Sequence, residues 1–229
     1  MKKYELTKEK KTLADGTVLH RIRALRDIPR FCVKAGELGG FVEGENNLSQ
    51  DGDAWVFCNA NVYGNAEVYD NSKVSGDTWV FGNAKVYDDA EVYGKAWVFS
   101  NAKVYGNAWV FGNAKVYGKA KVSGDALVLG YAEISGNAKI SGNAEISGNA
   151  CVSGDADYMV VKNIWSSGRW FTYTRSNKKW AVGCFYGTGD ELVAKAYKDS
   201  KLSGKCYEAI VRAVETIESA KAEAKGGSK

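Results

Sequence analysis

Residues 101–118 read NAKVYGNAWVFGNAKVYG, three passes through one six-residue pattern, and that pattern decides the fold. Written N/D-A-x-V-x-G, it runs without insertion from Asp53 to Gly154, 17 hexads in 102 residues. The fourth place is Val or Ile in all 17, from Val56 through Ile134 to Val152. The second is Ala in 15, with Ser72 and Thr78 as the departures, and the sixth is Gly in 13. A period of six is a multiple of two but not of 3.6, so the second and fourth places share one face of an extended strand and no helix can keep the stripe. Gly followed by Asn or Asp marks most of the junctions between hexads, and those residues tolerate the positive φ that a sharp corner needs. A strand this short cannot bury its Ala/Val side alone. It must stack on copies of itself, which makes a solenoid.

Outward from the repeat, an open stack leaves strand edges that need covering. Residues 1–52 read as an N-terminal β cap, with strands around Tyr4–Lys8 and Val18–Leu25, a turn through Ala14-Asp15-Gly16, and an irregular first coil through Leu38, Phe41, Val42 and Leu48. Residues 155–229 read as a small α+β domain. Runs at Tyr158–Ile164, Arg169–Thr174 and Lys179–Phe185 suggest an antiparallel meander with a hairpin at Ser176-Asn177-Lys178. Helices are expected over about Asp190–Lys198 and Ser203–Ala222, the second showing Ile210, Val214 and Ile217 at 3–4 spacing, and the tail from Ala220 is expected to fray. The domain division is therefore 1–52, 53–154 and 155–229.

Composition narrows the function. The chain of 229 residues carries 31 basic and 27 acidic residues, so attraction to a nucleic-acid backbone is weak and no sequence-specific nucleic-acid partner is expected. The charge is uneven: residues 155–229 hold 13 basic and 9 acidic residues, residues 53–154 hold 8 and 10. No apolar run is long enough to span a membrane, and basic residues at the start lead into no apolar segment, so a cytoplasmic protein is expected. Cys32, Cys58, Cys151, Cys184 and Cys206 are odd in number and lack a CxxC pair, which supports neither a disulfide framework nor a zinc site. His20 is the single histidine, which disfavours a His-based metal site and leaves few options for acid–base catalysis.

The hexads resemble hexapeptide-repeat proteins, in which an aliphatic residue recurs every sixth position with a small residue two places before it. That resemblance implies a left-handed parallel β-helix with three hexads per coil, hence about 5.7 coils. The opening KYEL, RIRALRD, GELGGFVE and NLSQDG, and the later GTGDELVAKAYKDS, are similar to phage-encoded members of this family. The resemblance also implies what is missing. The family's acyltransferases use a His in or beside the coils and its carbonic anhydrases use three on zinc, whereas this repeat has none. Serines such as Ser135 and Ser147 lack a base to activate them, and no phosphate-loop motif is present. No catalytic residue and no cofactor is expected.

With three hexads per coil, residues 18 apart stack, and chemistry falls to the outward third and fifth places. Trp55/Phe57, Trp79/Phe81, Trp97/Phe99 and Trp109/Phe111 form apolar pairs on two sides, the kind of surface that marks an interface, and the resemblance to hexapeptide-repeat proteins implies that the interface makes a homotrimer with prisms side by side. Aromatic platforms for stacking a base or sugar are the competing reading of the same rings. The third side stacks Glu67, Lys85, Lys103, Lys121 and Lys139 beside Tyr69, Tyr87 and Tyr105. Stacked lysines repel by a few tenths to about 1 kcal/mol per neighbouring pair, so keeping them points to an anion nearby. Arg21, Arg23, Arg26 and Arg30 are further phosphate candidates, or partners for acidic neighbours in the cap. So are Arg169 and Trp170, where charge and aromatic rings interleave.

Two functions compete. One is a non-catalytic trimeric binding protein that sequesters a small anionic, nucleotide-like ligand, a phage antidefence sponge for a host immune signal. The other is a structural or adaptor scaffold whose end domain docks a protein partner. An acyltransferase without the usual His stands behind both.

Overall fold

The computed structural model describes residues 2–165 and 168–226. The chain divides into two compact units, one ending at Tyr158 and the other beginning at Met159. In the first, each hexad forms one two-residue strand, from Trp55–Val56 (β4) to Cys151–Val152 (β20). These strands pair in parallel with those three hexads away, so that three faces close a β-solenoid of about 6 turns. The rungs are regular: Lys103 N donates to Ala120 O at 2.9 Å and Tyr105 N to Val122 O at 2.9 Å.

Alternation does what the pattern predicts. Every fourth-place Val or Ile and every second-place residue is buried, Ser72 and Thr78 included. Ser72 remains satisfied through the carbonyls of Tyr69 (2.8 Å) and Val86 (3.1 Å), while Thr78 Oγ1 has no hydrogen-bond partner among the described residues. From Cys58 to Gly148 the sixth place takes the left-handed region whatever occupies it, and only the last, Gly154, is extended. Asp88 and Ser100, standing where other hexads have Gly, hold φ 56° and 61°.

The cap is woven into the first face. Strands β1 (Tyr4–Thr12) and β2 (Val18–Ala24) form an antiparallel hairpin, β2 pairs antiparallel with β3 (Leu38–Val42), and β3 starts the parallel stack on Asn61–Val62. β1 is longer than the sequence suggests. Lys3 and Tyr4 lock the cap over the first coil: Lys3 Nζ donates to Ala54 O (2.8 Å) and Asp51 O (3.3 Å), and Tyr4 Oη to Leu48 O (2.7 Å). At the far end Asp155 Oδ1 accepts from Lys139 N at 2.8 Å and Asp157 Oδ2 from Ser153 N and Gly154 N at 2.9 Å, so two carboxylates stand in for a missing coil.

The second unit carries an antiparallel sheet in chain order, β21 (Tyr158–Lys162), β22 (Trp170–Thr174), β23 (Lys179–Val182) and β24 (Phe185–Gly187), followed by α1 (Gly189–Asp199) and α2 (Lys201–Gly226). The run expected as one strand over Lys179–Phe185 turns instead at Gly183-Cys184. Thr188 caps α1 reciprocally with Glu191, whose Oε2 accepts from Thr188 N at 2.7 Å. Phe171, Trp180, Leu192, Tyr207, Val211 and Val214 fill the core. Ile217 lies outside it, exposed, because the inward stripe of α2 runs through Tyr207, Val211 and Val214. α2 continues through Gly226 where fraying was expected, and residues 227–229 of that tail lie outside the described residues. Gly204 is required at the helix pair: a Cβ there would collide with the Tyr197 ring.

Candidate ligand-binding surfaces

The three solenoid faces differ in how their outward charges are compensated. On one, Lys73 Nζ reaches Glu91 at 3.4 Å. On another, Lys115 Nζ reaches Glu133 at 3.0 Å, and Tyr117 Oη stands 3.5 Å from the other oxygen of the same carboxylate. On the third, Lys85 Nζ contacts both oxygens of Glu67 at 2.9 Å. Lys85 thus belongs to an ion pair rather than to an open cation ladder, because Glu67 stacks directly beneath it. Among the described residues, Lys103, Lys121 and Lys139 have no ion-pair partner, and they are consecutive in the stack. Beside Glu67, Lys85 and Lys103 rise the rings of Tyr69, Tyr87 and Tyr105, stacked 4.9 and 5.0 Å apart and within 2° of parallel, while Ser123 and Ser141 follow Lys121 and Lys139. Burial in that stack pushes the Tyr69 and Tyr87 phenols up, and nearby acidic residues add to it for Tyr69, so both remain neutral hydroxyl donors at ordinary pH.

The aromatic pairs divide. Trp55 is 1% exposed, packed edge-on against Tyr4 with ring centres 6.3 Å apart, so it belongs to the seal under the cap and cannot be a subunit contact. Phe57 is partly covered by Phe31 and by Lys73, whose ammonium lies 5.9 Å from its ring centre. Trp79 is half-buried beneath Lys11, which lies 5.1 Å from its ring centre and also donates to Asn61 Oδ1 at 3.0 Å. Trp97 and Trp109 are 42% and 43% exposed. At the fifth places, Tyr63, Phe81, Phe99 and Tyr117 form one column of parallel rings, and Tyr93 stacks on Phe111.

The cap arginines are committed elsewhere. Arg21 pairs with Glu9 at 3.0 Å, donates to Gly39 O and Cys58 O, and lies over Phe41. Arg23 pairs with Glu5, Arg26 donates to the carbonyls of Asp27 and Gly52, and Arg30 pairs with Asp89. Arg21 and Arg30 thus tie the cap to the solenoid and Arg23 and Arg26 brace the cap itself, so each of the four has partners within the protein and the geometry favours that role over phosphate binding. Arg169 and Trp170, read as one surface, part company: Arg169 lines a cleft with Lys195 and Asp199, whereas the Trp170 ring lies under Lys162 at 5.4 Å. Thr172 and Thr174, on the same alternation as Trp170, are buried. Lys195 and Asp199 lie within GTGDELVAKAYKDS, but neither they nor Lys11 stand out in the sequence as site residues.

No helix among the described residues is long and apolar enough to cross a membrane, and no group of three His, Cys, Asp or Glu side chains among them could hold a metal. No protein-family model and no curated protein matches the chain.

Proposed function

We propose that the protein is a non-catalytic, trimeric binding protein that sequesters a small anionic, nucleotide-derived ligand, and that it acts as a phage-type antidefence sponge. The observation that carries the reading is the uncompensated run of Lys103, Lys121 and Lys139, set against Lys73, Lys115 and, lower in the same column, Lys85, each of which finds a Glu one turn away. Hydrogen bonds from lysine to phosphate are the strong, charge-assisted kind, and the adjoining Tyr105 offers a ring face and a hydroxyl to a base or sugar. Nothing in this column activates a nucleophile, so the ligand leaves unchanged.

The test is a thermal-shift panel of cyclic dinucleotides, cyclic oligonucleotides and ADP-ribose derivatives. A ligand at 100 times its Kd adds about 2.7 kcal/mol to the folded state. The gain should shrink in a Lys103→Gln/Lys121→Gln variant that folds normally, and the ligand should be recovered intact after denaturation. A flat panel overturns the reading. The exposed Trp97 and Trp109 then favour the alternative, a structural or adaptor scaffold that docks a protein partner.

A further inference from the structure

Within the C-terminal unit a cavity of about 370 Å³ opens among the Gly183-Cys184 turn, α1 and α2, within the size range of small-molecule pockets. Its floor is apolar and buried, made by Val182, Leu192, Ala196 and Tyr207. Its rim carries three exposed charged residues, Arg169, Lys195 and Asp199, none of which has an ion-pair partner among the described residues. Lys195 and Asp199 stand four apart on α1, a spacing at which opposite charges ordinarily meet. They do not meet, and the Lys195 ammonium lies instead 5.6 Å from the centre of the Phe185 ring. Arg169 is drawn along the turn, where a Cβ added to Gly183 would come within 3.7 Å of its Cδ.

We propose that this cleft binds a nucleoside monophosphate. Arg169 and Lys195 take the phosphate, the first through its planar fork and the second as a point charge. The Phe185 edge and the apolar floor take the base, and the Asp199 carboxylate accepts from a base amino group or a ribose hydroxyl. Two cations against one carboxylate match a ligand that is dianionic at one end and a hydrogen-bond donor at the other. The site lies wholly in this unit and does not rest on the lysine column of the solenoid.

Cys184 lines the cavity and is exposed, which makes it a local reporter. Full-length protein is alkylated with iodoacetamide, with and without AMP, and each cysteine is followed by mass spectrometry. AMP is expected to slow modification of Cys184 severalfold and leave the exposed Cys32, Cys58 and Cys151 unaffected. Arg169→Gln and Lys195→Gln, each checked for an unchanged melting temperature, should each raise the AMP needed for half-protection by about tenfold or more. Lys103→Gln/Lys121→Gln should protect as the parent does. No protection at about 1 mM AMP overturns the proposal, since binding weaker than that is not specific recognition. Protection that survives both cleft substitutions, that inorganic phosphate reproduces, or that is lost with the column lysines overturns it equally.

Discussion

Lys121 stands directly between Lys103 and Lys139 in the parallel register, cation above cation above cation, with no carboxylate interposed. Lys121→Glu would place one acid between two bases. The variant should fold and gain about 0.5–1 kcal/mol, seen as a melting temperature a few degrees higher at low salt. It should also lose any anion affinity of that face. A lower melting temperature would mean that Lys121 already has a compensating contact.

Trp97 and Trp109 leave large apolar rings in water, and covering such a ring is worth on the order of 1.5–3 kcal/mol. The expected state is a trimer. Light scattering at micromolar concentration should show it, and Trp97→Lys should weaken it more than Tyr105→Ser. A monomer throughout would remove subunit assembly as the reason for these rings.

Val104 is fully buried while its chain neighbour Lys103 faces outward. Val104→Asp should cost about 4 kcal/mol or more and leave the protein insoluble, because the carboxylate finds neither water nor a partner. Lys103→Asp should remain soluble. Equal damage from the two would contradict the inward and outward assignment.

Lys3 sets a pH dependence. Burial first, and then the Arg26 charge, lower its pKa from 10.5 to about 8, against the opposing pull of Asp53 and Asp51. The folded protein therefore releases this proton from about pH 8, whereas the unfolded chain keeps it up to its ordinary value. Between those limits the unfolded state binds more protons, so this group makes stability rise with pH. Above about pH 10 the Tyr4 phenol, raised by burial, works in the opposite sense. Urea denaturation at pH 7.5 and 9.5 should show a gain of roughly 1–2 kcal/mol that Lys3→Met abolishes. A variant with the same slope as the parent would assign the effect to another group.

What could be read in advance follows the range of the interactions involved. The hexad is self-similar, so inward and outward places, the three faces and the Glu67-to-Lys139 column all follow from counting by 18. Trp55 could not be read this way, because its burial comes from Tyr4, which the hairpin β1–β2 brings back across the first coil. Arg21, Arg23 and Arg30 of the cap were ambiguous for the same reason: their partners Glu9, Glu5 and Asp89 are between 12 and 59 residues away. The cleft was hidden more deeply, since Arg169, Cys184, Lys195 and Tyr207 meet only after a meander and two helices pack. Lys195 and Asp199 even carry a misleading signal, a spacing that reads as an ordinary helix-surface pair.

The absence of insertions among the hexads makes the solenoid a ruler graduated in eighteens. Excising residues 103–120 would shorten the stack by one strand spacing, about 4.8 Å, and return each later side chain to the face it occupied before. Excising only six residues would keep every Val inside yet hand each later column to the neighbouring face. Height and surface pattern can therefore change independently, the first in whole turns and the second in thirds of a turn, while the interior registers neither.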